Sequence, residues 1–376
     1  MLAIYLETMP ILHICNNIMG SRVHLSLYDE LYQKGIEQII YAPCKKRYNT
    51  CARNYSIIFS EPLSLYHKYF QNRKNKFLLD DLLSKIDYKK IELSHATTLF
   101  CDGRIALDLF KLYDIPYIVA IRSTDIWFFK KFWHLRRVGL EVLRCSKKVV
   151  FISDSIKNRF LLMLSKYNLP VDFQYTVIYN GIDNFWIDNL YNKVKCEKKT
   201  KYRLLYVGTF IKRKNVKLLI KSFKKIAEYK QGLELVLVGA KGTYLDYVKR
   251  EASRYGNIEY LGAIKDKKLL LDVYRSCDLF VLPSINETFG LVYLEALSQK
   301  LPIIGVVNEG IYGVLQENCL GFFLDSVDMD SVCSAIISVL SNLSKYNLPN
   351  NDFFESFRWK NISEKYFVIY KQILEK

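Results

Sequence analysis

Short apolar runs alternate with longer amphipathic stretches along most of the chain, and this alternation restricts the fold more than any other feature. The runs cover residues 11–15, 38–42, 97–101, 117–121, 148–152, 176–180, 203–208, 233–239, 258–262, 279–284 and 301–306. Between them lie stretches with helical periodicity, such as 24–35 and 215–229. Buried strands that alternate with amphipathic helices predict an α/β fold, with parallel sheets covered on both faces.

A polar, lysine-rich stretch divides this pattern into two sets. Residues 185–203 lack regular apolar spacing, as expected of a linker. The chain has 376 residues, which is more than one hydrophobic core usually accommodates. We therefore predict two Rossmann-like domains, 1–184 and 185–357, with a ligand in the cleft at the carboxyl ends of the strands.

The charge balance favours an anionic partner. The formal net charge is +17 and the pI is about 9.3, which suits nucleic acid, phosphates or an acidic membrane surface. No recognition motif for nucleic acid accompanies the charge, so we expect no nucleic-acid partner.

Cysteine usage and apolar runs bear on location. The nine cysteines show no C-x-x-C spacing, and all five histidines lie in the first 134 residues, which argues against structural zinc and for a reducing compartment. The start of the chain, MLAIYLETMPILHIC, contains Glu7 and Pro10 and differs from a signal peptide. No apolar run approaches the ~18–20 residues of a membrane span. We expect a cytoplasmic protein that is peripheral at the inner face of a membrane if it touches one.

The segment NETFGLVYLE (286–295) places two acids around a glycine, where a buried strand turns into a helix. Gly290 opens the helix, whose unpaired N–H groups form an anion site. Glu295 lies roughly 7 Å further along at ~1.5 Å per residue, about the distance from a diphosphate to its ribose. Glu287 precedes the helix, where a donor sugar would lie. One nucleotide-sugar accounts for all three residues; the alternative is a first-turn acid that complements the helix dipole and a separate solvated acid.

The wider pattern P-S-x-x-E-x-F-G-x-x-x-x-E-A, followed by LPIIG, closely resembles the E-x7-E signature of glycosyltransferase family 4, which has the GT-B fold. The matching positions are Pro283, Ser284, Glu287, Phe289, Gly290, Glu295, Ala296, Pro302 and Ile304. The resemblance implies two Rossmann-like domains that face a cleft, and a closing helix within 358–376 that crosses back to the N-terminal domain. It also implies a donor site that includes Phe289, Gly290 and Leu291.

Other segments of the second half resemble the same family. Gly208 and Lys214 match its strand–glycine–lysine segment, and the resemblance implies that Lys214 binds the donor diphosphate, as suits an ammonium group. The alternative for Lys214 is a solvated lysine in a basic stretch. Thr209 stands where the family often has Arg, and Arg213 and Lys212 are the two candidates to replace that phosphate contact. The residues near Ile264 resemble the segment that frames the base.

The first half resembles the family less closely. Gly20 corresponds to one of the two glycines that the family commonly has near the acceptor and the donor phosphate. His95 lies just before the strand predicted at 97–101 and resembles a family position, with a structural role as the alternative. Arg122 and Asp125 follow a predicted strand, where relatives often carry His and Asp. Arg122 would bind a phosphate or orient the acceptor, and Asp125 would act on the acceptor side.

Residues 127–148 mix aromatic with cationic side chains. Read as one basic amphipathic helix, the segment suits an anionic membrane interface and would bring the protein to a lipid-linked acceptor. The alternative is a helix that packs on its own domain and has a basic outer face.

Two motifs for other chemistry are weak. The D-x-D at 328–330 resembles a site that binds Mn²⁺ or Mg²⁺ in another glycosyltransferase fold, but it precedes a predicted helix, so we predict Asp330 as the N-cap. A G-x-G-x-x-G fingerprint is absent from the sequence, which argues against an oxidoreductase. We expect neither a metal nor another cofactor.

The sequence thus predicts a retaining glycosyltransferase of hexosyltransferase type. It would move a sugar from a nucleotide diphosphate to a hydroxyl of a growing glycan, such as lipid-linked surface polysaccharide or lipopolysaccharide. The resemblance implies metal independence and same-face attack assisted by the leaving phosphate. The expected catalytic residues are Glu287, Lys214, Asp125 and Arg122. Two alternatives stay open: a GT-B nucleotide-sugar epimerase, and a non-catalytic membrane- or polysaccharide-binding protein of the same fold.

Overall fold

The computed structural model describes residues 10–20, 22–46, 53–64, 70–169, 172–191, 200–314, 320–346 and 349–375. Most of the N-terminal segment considered above as a leader, and residues 192–199 of the predicted linker, lie outside these ranges. The chain forms two compact units. The first unit comprises residues 1–152, 156–181 and 359–376, and the second comprises 153–155 and 182–358.

A seven-stranded parallel sheet forms the centre of the first unit. Its strands are β1 (Ile11–Ile14), β2 (Gln38–Ala42), β3 (Ser56–Phe59), β4 (Leu93–Ala96), β5 (Tyr117–Ile121), β6 (Lys148–Phe151) and β7 (Tyr175–Val177). They lie in the order β3-β2-β1-β4-β5-β6-β7, and every pairing is parallel. All carboxyl ends therefore meet at one edge, and the strand order reverses between β1 and β4, where a ligand site is expected.

Within the described ranges of this unit, six α-helices connect these strands. They are α1 (Arg22–Gln33), α2 (Gln71–Lys85), α3 (Asp102–Tyr113), α4 (Ser123–Lys131), α5 (Arg136–Cys145) and α6 (Asp154–Lys166). Two separate clusters of buried apolar side chains pack against the sheet, as a parallel sheet with helices on its faces requires.

The second unit contains a six-stranded parallel sheet. Its strands are β8 (Tyr202–Val207), β9 (Leu233–Val238), β10 (Ile258–Gly262), β11 (Leu279–Val281), β12 (Ile303–Val306) and β13 (Gly321–Leu324). Their order is β10-β9-β8-β11-β12-β13, again with every pairing parallel. The order reverses between β8 and β11, so the loops after these two strands are the natural place for a ligand.

The described part of the second unit contains seven α-helices. They are α7 (Asn184–Asp188), α8 (Val216–Ala227), α9 (Leu245–Arg254), α10 (Lys267–Ser276), α11 (Leu291–Ser298), α12 (Met329–Ser341) and α13 (Asn351–Glu355). In α8 the residues Val216, Leu219, Ile220, Phe223 and Ile226 are buried, which is the apolar face that the 3.6-residue period predicts.

The last helix, α14 (Trp359–Leu374), returns to the first unit and packs on α1. Its buried residues Ile362, Tyr366 and Tyr370 join one of the two apolar clusters of that unit. Each such side chain contributes roughly 1.5–3 kcal/mol through burial. The predicted closing helix that crosses back to the N-terminal part of the chain is therefore confirmed.

The fourth strand begins earlier in the chain than the sequence predicts. The apolar run 97–101 predicts a strand, but β4 ends just before it. The hydroxyls of Thr97 and Thr98 donate instead to Asp102 at the start of α3, at 2.7 and 3.0 Å. Side-chain hydrogen bonds of this kind favour a turn over a strand. His95 consequently lies within β4 and not before it.

The basic aromatic segment 127–148 forms two helices and not the single helix that its pattern predicts. The break falls at Phe132, between α4 and a short 3₁₀ turn at Trp133–Leu135. Arg136 Nε donates to Phe129 O at 2.9 Å, which satisfies a carbonyl group near the end of α4. Phe129 is buried, whereas Trp133 is 75% exposed.

Candidate active site

Two loops of the second unit are joined at the edge where β8 and β11 end. Ile285 N, after β11, donates to Arg213 O at 2.9 Å, and the side chain of Asn215 donates to Pro283 O at 2.8 Å. The loop after β8 ends in a 3₁₀ turn at Lys212–Lys214. These bonds hold the two loops against each other and thereby bring Lys214 to Glu287.

Lys214 and Glu287 form a buried ion pair between Nζ and Oε2. Ser284 Oγ donates to the same carboxylate oxygen at 3.0 Å, and Arg213 Nη1 lies 3.8 Å from it. Burial by itself would raise the pKa of Glu287, but Lys214, Arg213 and Ser284 together hold that pKa below its usual value. Glu287 is therefore a carboxylate at neutral pH.

Gly290 occupies the N-cap position of α11, immediately after this pair. Its φ of 76° lies in the left-handed region, and a Cβ there would come within 2.6 Å of the Tyr293 ring. The Tyr293 hydroxyl in turn donates to Leu282 O at 2.7 Å, so the ring is fixed. Only glycine fits, and the start of α11 stays open for an anion that approaches its N–H groups.

Glu295 lies on α11 and is half-buried. Its Oε2 accepts a hydrogen bond from the Tyr274 hydroxyl at 2.9 Å. Burial raises the pKa of Glu295 to about 7, although the Tyr274 bond opposes that shift. Near pH 7, Glu287 is therefore ionised, whereas Glu295 is only partly ionised. Glu287 has several hydrogen-bond donors around its carboxylate, and Glu295 has one.

The remaining predicted donor-site residues lie on the same unit. Gly208 directly follows β8, and Thr209 beside it is exposed. Ile264 follows β10 and is half-buried, as is Leu291 at the start of α11. Phe289, by contrast, has a buried ring that packs against Phe357 with centroids 6.0 Å apart.

Two residues of this region were missed by sequence reasoning. Glu309, after β12, accepts a hydrogen bond from the backbone N–H of Glu287 at 2.8 Å. Tyr274, on α10, anchors Glu295. Each of them contacts one of the two predicted acids from an element that is distant in sequence. The sequence positions of Glu309 and Tyr274 follow no motif that could have identified them.

In the first unit, a cavity of about 570 Å³ lies at the carboxyl ends of β1, β2 and β4. Gly20 and Asp125 both line it. The Asp125 carboxylate accepts hydrogen bonds from the backbone N–H groups of Leu99 and Arg122, at 3.0 and 2.9 Å. Burial raises the pKa of Asp125 to about 7, and these bonds oppose the rise.

Arg122 and His95 line a separate, much smaller pocket of about 10 Å³ in the same unit. Arg122 Nε donates to Thr97 O at 2.9 Å. His95 Nδ1 lies 2.8 Å from the Tyr370 hydroxyl on α14. Burial, followed by the charge of Arg122, lowers the pKa of His95 to about 3, so this imidazole is neutral. The structure therefore groups Gly20 with Asp125, and His95 with Arg122.

The D-x-D motif has a structural explanation. Asp328, and not Asp330, is the N-cap of α12, because its side chain accepts from Ser331 N at 2.8 Å. The prediction of Asp330 as the cap is wrong by two positions; Asp330 pairs with Lys225 at 2.8 Å. Across the described ranges, no group of three His, Cys, Asp or Glu side chains could hold a metal ion. Within the same ranges, no helix is long and apolar enough to cross a membrane.

Solved structures with the same architecture define the class of fold. Sucrose-phosphate synthase from Thermosynechococcus elongatus superposes with a TM-score of 0.77 at 16% identity, over 98% of this chain and 99% of that one. HepE from Anabaena, in complex with UDP, superposes with a TM-score of 0.69 at 16% identity, over 97% and 100%. At these identities the likeness shows the fold alone, which is GT-B as predicted.

Residues 189–351 match the family of glycosyl transferases group 1. This matched segment contains the E-x7-E pattern, so the predicted resemblance to glycosyltransferase family 4 is confirmed.

Curated relatives are distant. An uncharacterised glycosyltransferase of Methanocaldococcus jannaschii is 26% identical over 284 residues, which are 69% of this chain and 70% of the relative. The capsular polysaccharide biosynthesis glycosyltransferase CapM of Staphylococcus aureus is 23% identical over 247 residues, or 61% and 63% of the two chains.

Replacement of Lys214 by Met should destabilise the second unit. The change leaves the buried Glu287 carboxylate with Arg213 as its nearest cation, and breaking a buried pair costs about 3–5 kcal/mol. We expect a loss of about 3 kcal/mol in the free energy of unfolding, measured by urea denaturation at pH 7.5. The double variant Lys214→Met/Glu287→Gln should recover part of this loss.

Lys225→Met is the matched control, because Lys225 pairs with an exposed aspartate. Its unfolding midpoint should equal that of the wild type. Equal midpoints for Lys214→Met and Lys225→Met would contradict the assignment of Lys214–Glu287 as a buried pair.

Proposed function

We propose that this glycosyltransferase transfers a sugar, with retention and without a metal, from a nucleotide diphosphate to a hydroxyl of a growing glycan. The second unit binds the donor and the first unit binds the acceptor. The observation that carries the proposal is the buried Lys214–Glu287 pair, which lies where β8 and β11 end and directly before the glycine that opens α11.

The leaving diphosphate is the group that this site stabilises. Lys214 has three N–H donors, of which Glu287 uses one, so the others can face a phosphate. Arg213, with its side chain 44% exposed, adds a second cation, and supports the expectation that it replaces the family arginine missing at Thr209. The N–H groups at the start of α11 complete the arrangement. Fixed donors aimed at developing negative charge lower the barrier without reorganisation.

Glu287 and Glu295 hold the two ends of the donor. Glu287 stays ionised and is fixed by Ser284 and by Glu309, so it can accept hydrogen bonds from sugar hydroxyls in one orientation. Glu295 would accept from the ribose hydroxyls when it is ionised. With the sugar and the diphosphate positioned, the acceptor hydroxyl attacks from the face that the leaving phosphate vacates, and that phosphate takes the proton.

The proposed role in polysaccharide synthesis is supported by the curated relatives. CapM is named for capsular polysaccharide biosynthesis. An acceptor on a lipid would require the protein to reach a membrane surface, and segment 127–148 offers suitable side chains. Trp127 and Trp133 are 50% and 75% exposed, and Lys131 Nζ lies 4.7 Å from the centre of the Trp127 ring. Exposed tryptophans with cations favour an anionic interface.

A panel of UDP- and GDP-sugars tests the proposal through donor binding and nucleotide release. Glu287→Gln should reduce nucleotide release on the order of 100-fold while the donor still binds. Glu295→Gln should weaken donor binding about tenfold, as expected for losing a charged acceptor. Glu259→Gln, at an exposed acid that pairs with Arg203, is the control.

Full activity in both site variants would contradict the residue assignment. Conversion of the donor to an isomer without any acceptor would identify an epimerase instead. Failure of every nucleotide-sugar to bind would identify a non-catalytic protein.

Donor affinity should depend on pH through Glu295. Its pKa of about 7 means that the carboxylate loses its charge as the pH falls through neutrality. Between pH 8 and pH 6 the ionised fraction falls about tenfold, and donor affinity should fall with it. A nucleotide-sugar has no ionisation of its own in this range. Calorimetric titration should show the slope in the wild type and a flat profile in Glu295→Gln; matching profiles would remove Glu295 from the donor site.

Vesicle flotation tests membrane docking. The wild type should float with vesicles that contain phosphatidylglycerol at low salt, and high salt should release it, because the attraction is electrostatic. Trp127→Ala/Trp133→Ala should float several-fold less. Tyr229→Ala, at a tyrosine of the second unit that is 63% exposed, should float like the wild type. Absence of flotation at low salt would rule out docking.

A further inference from the structure

We propose that the first unit binds an organic phosphate in a cavity at the amino ends of β6 and β7. This cavity has a volume of about 400 Å³, which falls in the range of small-molecule sites. Its lining comes from residues 144–148, residues 172–174 and the last turns of α14. Ligands of parallel α/β sheets usually bind at the carboxyl ends of the strands, so this cavity is separate from the sites described above. Binding here does not depend on the proposed glycosyl transfer.

The charged lining of the cavity has an excess of cations. Arg144, Lys147 and Lys148 supply three positive charges, and Asp172 supplies one negative charge, which leaves a net charge of +2. Lys148 Nζ donates to Gln174 Oε1 at 3.3 Å. Among the residues that the structure describes, none of the three cations forms an ion pair with a carboxylate. A phosphate monoester carries about −1.5 to −2 at pH 7 and would neutralise this excess, whereas a single carboxylate would leave half of it.

The donors of Arg144 are available to a ligand. Arg144 is exposed in the last turn of α5, where its charge complements the negative end of the helix dipole. That interaction occupies none of its five N–H donors, which have the fork geometry that binds phosphate oxygens in pairs. The Ser146 hydroxyl, and not a cation, donates to Leu143 O at the end of α5, at 2.8 Å. Lys147, exposed just before β6, adds an ammonium group on the same wall.

The remaining wall of the cavity is largely apolar and belongs to the core. The Phe173 ring packs on Phe151 and Tyr175, with centroids 6.5 and 6.1 Å away. Ile369 is buried and Ile373 is half-buried, and both belong to the part of α14 that packs into the first unit. An organic phosphate with an apolar part contacts both kinds of lining. Inorganic phosphate would leave the ring and the isoleucines without a partner.

A ligand in this cavity would also stabilise the packing of α14. It would contact the connection between α5 and β6 on one side and the last turns of α14 on the other. A ligand that binds the folded state alone raises the unfolding temperature in proportion to its occupancy. Thermal unfolding therefore provides a readout of binding that is independent of sugar transfer.

Isothermal titration calorimetry with the full chain at pH 7.5 tests the assignment. One arm compares adenosine 5′-monophosphate with adenosine, and the other compares dihexanoyl phosphatidic acid, below its micelle concentration, with dihexanoylglycerol. We expect a phosphate to bind at least tenfold more tightly than its phosphate-free match and more tightly than inorganic phosphate. The same phosphate should raise the unfolding temperature. A preference in the first arm identifies a soluble phosphate, a preference in the second arm alone identifies a lipid headgroup, and both results support the proposal.

Variants of the charged wall locate the phosphate. Arg144→Gln and Lys147→Gln should each weaken phosphate binding about tenfold, because each removes a charged donor. Asp172→Asn should strengthen binding about threefold, because it removes the carboxylate that opposes the ligand. Arg137→Gln is the matched control, since Arg137 is exposed on α5 and does not line the cavity. Thermal unfolding without ligand checks that every variant folds.

Several results would overturn the proposal. They are equal binding of each phosphate and its match, binding of no probe, and binding of inorganic phosphate as tight as that of the organic phosphates. Equal affinities in Arg144→Gln and Arg137→Gln, or no gain in Asp172→Asn, would also contradict it. Arg144→Gln should bind the nucleotide-sugar panel like the wild type, because Arg144 belongs to the first unit. A loss of that binding would mean that the phosphate probes report the donor site, and it would reject the new site.

Discussion

Parallel strand pairing is the constraint on which the arrangement of both units depends. Because every strand of a sheet runs the same way, the loops that follow the strands share one edge. The reversal of strand order between β8 and β11 places the loop of Lys214 beside the loop of Glu287, although 73 positions separate them. The same rule in the first unit collects Asn16, after β1, and Thr98, after β4, at one cavity.

The buried charges of the two units are balanced to different degrees. Glu287 has a lysine, a hydroxyl and a nearby arginine, so it stays ionised in a protein interior. Glu295 has one hydroxyl and titrates near neutral pH. Asp125, in the first unit, accepts hydrogen bonds from two backbone N–H groups, and burial raises its pKa to about 7. The charge of Glu287 is thus fixed by its neighbours, whereas the charges of Glu295 and Asp125 respond to a change of pH or to a ligand.

Much of the fold follows from the sequence because buried strands and amphipathic helices have distinct periods. The periodicity predicts α8 and the E-x7-E pattern predicts the strand–helix turn at Gly290. The periodicity wrongly predicts a strand at 97–101. The hydroxyls of two threonines in that segment donate to Asp102, and this contact is visible only in the folded structure. The roles of Glu309 and Tyr274 depend on contacts between elements far apart in sequence. The ring of Phe289 likewise lies in the core, which a motif cannot distinguish from a ligand contact.

The position of α14 has a consequence for the order in which the protein matures on the ribosome. Tyr370 and Ile362 fill a cluster that also contains Ile11 and Leu27, so the first unit lacks part of its interior until residues 359–374 have emerged. Residues 182–358 leave the ribosome earlier and contain all six strands of their own sheet. The half of the molecule that is synthesised first is therefore the half that is completed last, and part of its apolar surface stays exposed in the interval.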